Sequence, residues 1–123
     1  KTIESRWYKH RRTPWNKIKK GDTVYFKNSG EPVSIKTRVK KVMQFSGLSP
    51  QKTMEILDRY GKADGIEEQD FKKFHEMFKD KNYCVLVFLE KPEKAEPFNI
   101  DKKGFGAMAS WITVDNIAKI KSN

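Results

Sequence analysis

Residues 83–89, Tyr-Cys-Val-Leu-Val-Phe-Leu, constrain the fold more than any other part of this sequence. The run is rich in β-branched and aromatic residues, and a polar Asn82 and a Glu90-Lys91-Pro92 stop bound it. It is far shorter than the ~20 residues that cross a bilayer. Apolar residues fall on both parities, so a strand built from it needs cover on both faces. The run is therefore predicted to be a central strand with packed layers above and below. With 123 residues, 37% hydrophobic and 34% charged, the chain has material for one modest core, and residues 1–123 are read as a single domain.

Cys84, the only cysteine, lies inside this run. One cysteine excludes an intramolecular disulfide and a Cys-based zinc site. It is read as a small buried hydrophobe in a reducing, cytoplasmic setting. The two histidines, His10 and His75, lack metal-ligand spacing, and no Gly-rich phosphate loop or nucleophile elbow is present. No metal and no cofactor are expected.

Thr2–Tyr8 alternates, with Ile3, Ser5 and Trp7 on one face and Thr2, Glu4, Arg6 and Tyr8 on the other. A basic loop and turn over 9–22 lead to a strand at 23–27. Residues 33–45 read as a long strand. Val33, Ile35, Val39, Met43 and Phe45 face inward, Lys36, Arg38 and Lys40 form an outer basic row, and Lys41 marks a bulge.

Two helices should follow. Ser49 caps the first, Pro50 opens it, Met54, Leu57 and Tyr60 make its stripe, and Gly61 stands at C′. The second, over 64–80, presents Phe71, Phe74 and Phe78, with Asp64 and Glu67 spaced as a capping box. After the central strand come a polar connection at 91–97, a short strand at 98–100 and a glycine-bearing loop at 102–108. A strand at 110–114 containing Trp111 and a terminal turn or helix complete the chain. The order β, β, β, α, α, β, β, β predicts an α+β fold: a small mixed barrel of five or six strands with two or three helices outside.

Charge distribution points to a partner. Residues 1–41 hold thirteen Lys/Arg against three acids, and residues 42–123 hold thirteen of each, so the whole net charge of +10 lies in the first third. A one-sided basic surface is the footprint expected for a polyanion, and RNA rather than a membrane is the expected partner; a solvated lysine-rich face is the competing reading. Tyr8, Lys9, Arg11, Arg12, Trp15 and Lys17 interleave rings with cations, as single-stranded RNA binding requires. With Arg6, Lys36, Arg38 and Lys40 they make up the expected nucleic-acid-binding set. Core burial of Trp7, Trp15 and Trp111 is the competing reading of those rings.

Lys1, Glu4 and Arg6, followed by Ile18, Gly21 and Asp22, resemble the start of an ASCH domain of the PUA-like superfamily. That family's signature is Gly-x-Lys-x-x-Glu-x-Arg and then a hydrophobic I-x-x-G-D turn. The tail 98–117 is similar to the closing strand of related families. The resemblance covers most of the chain. It implies a PUA-like barrel that binds RNA or a modified nucleotide in a polar pocket near Glu4 and Arg6. In the family a strand and a helix precede the signature, and this chain is expected to lack them, leaving barrel closure open.

Some small ASCH proteins deacylate modified cytidine with a Lys/Thr/Glu arrangement, and others are linked to RNA cleavage. If the chain is an enzyme, the resemblance assigns catalysis to Lys1, Thr2 and Glu4. A Thr stands in that motif where this chain has Glu4, so Thr2, on the same strand face, would supply the hydroxyl. A non-catalytic interaction module is the third possibility.

Overall fold

The computed structural model describes residues 1–105 and 109–122. Its strands are β1 (Ile3–Tyr8), β2 (Thr23–Phe26), β3 (Val33–Phe45), β4 (Tyr83–Leu89), β5 (Glu93–Ile100) and β6 (Lys121–Ser122). Helices α1 (Pro50–Tyr60) and α2 (Phe71–Phe78) lie between β3 and β4. The fold is α+β, as expected. All pairings among the described residues are antiparallel, in the order β1-β4-β3-β5-β6 with β2 on β3, and hydrogen bonds do not close the sheet into a barrel.

β4 is the predicted central strand. It pairs with β1 on one side and β3 on the other. Its alternate residues feed two cores. Cys84 and Leu86 join Ile3 and Ile56 on the helix side, and Val85, Val87 and Leu89 join Val24 and Val39 on the other. The pattern on β1 follows from this register. Ser5 and Trp7 oppose Leu86 and Cys84, while Glu4 and Arg6 oppose Val87 and Val85. Glu4 and Arg6 therefore point into the concave side of the sheet.

β3 serves both parts of the sheet. Its first half pairs with β2 and β5, and its second half with β4. The register slips between Val39 and Lys41, where the bulge was predicted. Ile35 departs from expectation: it is 41% exposed, while Thr37 is buried and donates to the Glu90 carbonyl at 2.7 Å.

The helices keep their order with corrected details. Ser49 Oγ accepts from Lys52 N at 3.1 Å, and Pro50 opens α1. The buried stripe is Thr53, Ile56 and Leu57 rather than Met54. Gly61 is not in a left-handed cap, because its φ is −58°. It is glycine because a Cβ there would lie 2.5 Å from the Leu57 carbonyl oxygen and 2.8 Å from the Phe71 ring. The turn falls at Gly65 instead, with φ +83°. The second helix begins at Phe71 after a 3-10 turn at Glu68–Asp70, and no Asp64–Glu67 capping box forms. Asp64 is drawn away to β1. Trp7 stacks on Phe78 at 4.7 Å and docks α2 on the sheet.

Two expectations near the C-terminus are overturned. The "polar connection" at 91–97 is mostly β5. It reads as polar because that stretch of β5 is largely exposed, and Pro97 is tolerated where the register with β3 slips. Residues 110–114 form no strand. Their alternation reflects Trp111 packing against the concave core, not ladder pairing. The last strand is β6, on Asn99 and Ile100 of β5. The expected 102–108 loop lies partly outside the described residues.

Candidate nucleic-acid interface

β1 is an edge strand, so its inward side chains are reachable from the rim of the sheet. Lys1 Nζ lies 3.0 Å from Glu4 Oε1, and Arg6 NH1 lies 3.2 Å from Glu4 Oε2. One carboxylate thus holds two cations. The Glu4 side chain is 15% exposed and that of Arg6 28% exposed. Arg6 NH1 also donates to the Ser5 carbonyl at 2.8 Å. Its Nε and NH2 make no hydrogen bond to the described residues. The guanidinium sits 5.1 Å from the Trp111 ring centroid, a cation–π contact that fixes its plane.

A second carboxylate, Asp64, joins from the far side of β1. It accepts from Ser5 Oγ at 2.5 Å and stands 4.0 Å from Lys1 Nζ. Ser5 Oγ in turn accepts from Trp7 Nε1 at 3.1 Å. Burial raises the Asp64 carboxyl above the usual aspartate range, and the Ser5 hydrogen bond and Lys1 charge oppose that rise. The Asp64 loop is tied to β1 by the backbone, where Thr2 N and Ile3 N both donate to the Ala63 carbonyl. The sequence gives no spacing signal for Asp64, which lies 59 residues beyond its partner Ser5.

Thr2 is exposed. The Tyr8 hydroxyl donates to the Thr13 carbonyl at 2.9 Å, and burial raises its pKa. Trp15 is half-buried and packs on the concave core, with its ring edge-on to Tyr83 and Arg11 over both rings. Lys9 pairs with Asp80 at 3.3 Å, while Arg11, Arg12 and Lys17 are exposed. The outer row of β3 is not uniform. Lys36 is half-buried and faces Glu93 across the ladder, whereas Arg38 and Lys40 are exposed. Among the described residues no three His, Cys, Asp or Glu side chains are grouped to hold a metal, and no helix is long and apolar enough to cross a membrane.

No protein-family model and no curated protein sequence matches the chain. Solved structures do. The ASCH protein of Zymomonas mobilis superposes with a TM-score of 0.62 at 17% identity, covering 99% of this chain and 83% of that one. A tyrosine-to-phenylalanine variant of ZmASCH gives 0.64 at 18% identity, covering 99% and 86%. The chain has the ASCH fold. The sheet and outer helices are accordingly PUA-like, although identity this low speaks for fold alone. Lys1, Glu4 and Arg6, which carry the sequence resemblance, are the residues clustered at the rim of this ASCH-fold sheet.

Proposed function

We propose that this ASCH-fold domain, residues 1–123, binds RNA or a modified nucleotide. The observation that supports the reading is the Glu4–Arg6 pair on the concave face, with donors of Arg6 free beneath Trp111, in the third of the chain that carries all the net charge. In this reading a ligand displaces Lys1 from Glu4, whose carboxylate then accepts from an amino group on a base edge. The free donors of Arg6 take a phosphate or a base acceptor. The cations Arg11, Arg12 and Lys17 follow the strand's phosphates, with Trp15 as a stacking surface. A cytoplasmic setting goes with an RNA ligand and a single buried cysteine.

The test is a titration of single-stranded RNA and of cytidine monophosphate into the wild type and Arg6→Ala. Affinity for both ligands is expected to fall about tenfold or more, the equivalent of one charge-assisted hydrogen bond. Unchanged affinity in the variant refutes the assignment.

The closeness of Lys1, Glu4 and Asp64 favours a second reading, a hydrolase of acylated cytidine or of RNA in which Lys1, Thr2 and Glu4 act. Acyl release from acetylcytidine that is lost in Lys1→Ala would support it, and no turnover by the wild type would dismiss it.

A further inference from the structure

An open depression in the described surface lies away from the Glu4–Arg6 pair. Asn16, Ile18, Lys19 and Lys20 line one side of an open groove, and Lys40, Lys41, Val42 and Gln44 of β3 line the other. The architecture here is built rather than incidental. Asn16 holds a left-handed φ of +56°, and its amide and that of Gln44 exchange bonds. Asn16 N donates to Gln44 Oε1 at 2.7 Å, and Gln44 Nε2 donates to Asn16 Oδ1 at 2.8 Å. The bulge after Val39 inserts a residue, so consecutive lysines line the same groove.

Four lysines thus line one depression, Lys41 from its rim, with its ammonium turned to the helix side of the sheet. Among the described residues none of them is paired with a carboxylate. Asp22, close in sequence, spends an oxygen on Lys19 N at 3.0 Å, and Lys41 rests 5.3 Å from the Phe88 ring centroid. Like charges gathered along one groove repel one another, and a multivalent anion relieves that repulsion.

The groove's position relates it to the other site. Val42 stands opposite Val87, which stands opposite Glu4, and Gln44 aligns through Val85 with Arg6. The Val42–Gln44 side of the groove and the Glu4–Arg6 pair therefore share one face of the sheet, in register, two strand spacings or about 10 Å apart. Trp15 and Ile18 roof the strip between them.

We infer that the Lys19/Lys20/Lys40/Lys41 groove is a second subsite that grips the phosphodiester backbone of a single strand whose other nucleotide occupies the Glu4–Arg6 site. The natural ligand is then a polynucleotide rather than a free nucleotide. This inference rests on the nucleotide-binding reading above and deepens it. Lysines are point charges that hold phosphate without reading sequence, and an open groove lets a strand enter and leave. The sequence pattern pointed to Lys36, Arg38 and Lys40 as one row. The fold instead sets Lys36 against Glu93 and joins Lys40 to Lys19, Lys20 and Lys41.

The experiment uses the four lysines changed together to glutamine, all being exposed, with circular dichroism to verify the fold. Anisotropy follows a single-stranded RNA of about eight nucleotides over a range of salt, and cytidine monophosphate is titrated in parallel. At low salt the variant should bind the strand about tenfold or more weakly, with a log-log salt slope shallower by up to about 2.8, or ~0.7 per phosphate contact. Mononucleotide affinity should stay within about twofold, because phosphate contacts in the groove do not read the base. An unchanged slope and strand affinity overturn the groove while leaving the Glu4–Arg6 site intact. Lost strand binding in a protein that never binds the mononucleotide supports the groove and removes the Glu4–Arg6 reading instead. Polyglutamate that competes as well as RNA at equal charge overturns the polynucleotide assignment.

Discussion

Changing Glu4 to Gln separates a ligand site from a structural brace. The substitution keeps shape and one carbonyl acceptor but removes the charge that holds Lys1 at 3.0 Å and Arg6 at 3.2 Å. An exposed ion pair contributes about 0–1 kcal/mol. Removing one partner of a fully buried pair costs about 3–5 kcal/mol. Glu4 sits between these limits: its own side chain is 15% exposed, but Lys1 is 48% exposed and the Arg6 guanidinium keeps the Ser5 carbonyl and the Trp111 ring. The expected loss is about 1.5 kcal/mol, one charge-assisted hydrogen bond, or roughly 5–9 °C in Tm for a chain of this size. Urea unfolding at pH 7, followed by circular dichroism, measures it. A loss above about 3 kcal/mol would show that Glu4 is a brace for a buried arginine and not a surface poised to exchange Lys1 for a ligand. A loss under about 0.5 kcal/mol would show that the network is solvated and fixes nothing.

Other consequences follow from the packing and the titrating groups. Gly61→Ala should destabilise by about 1–3 kcal/mol in the same unfolding assay, because the new Cβ meets the Leu57 carbonyl and the Phe71 ring; a neutral result would mean that α2 can move aside freely. Asp64 binds its proton more tightly in the folded protein than its usual value of 3.8. Between that value and its raised folded pKa the native state holds more protons than the unfolded one. Its contribution to stability therefore falls as pH rises through the window, and Asp64→Asn should abolish this dependence in unfolding measurements across it. Burial pushes the Cys84 thiol far up, so native protein should resist alkylation until it is unfolded, and prompt labelling would contradict the central placement of β4.

What could be read from the sequence was what local pattern determines. The continuous apolar run over 83–89 had to be a strand covered twice, and it is. Alternation over 2–8 assigned Glu4 and Arg6 to one face, and the lysine that broke the β3 pattern marked its bulge. What was hidden depended on distant partners. β5 looked like a linker because an exposed strand bears polar residues on both faces, and Trp111 mimicked a strand because it fills the concave core from a loop. Gly61 looked like a C′ turn residue, whereas a ring and a carbonyl leave no room for a side chain there. Asp64 looked like a cap, and only the tertiary fold carries it to Ser5 and Lys1. The groove was half visible: Lys40 stood out, but its association with Lys19, Lys20 and Lys41 depends on the Asn16–Gln44 clasp between two separate segments.

The claim that the basic first third of this ASCH-fold chain serves a polyanion is tested most directly by the salt dependence of RNA binding. Anisotropy of a labelled single-stranded RNA, titrated with wild-type protein from low to physiological salt, should give a steep linear fall of log affinity with log salt. The slope should be about −0.7 for each phosphate engaged. A flat response, or no binding even at low salt, would contradict the account and leave the +10 charge as a solvated surface.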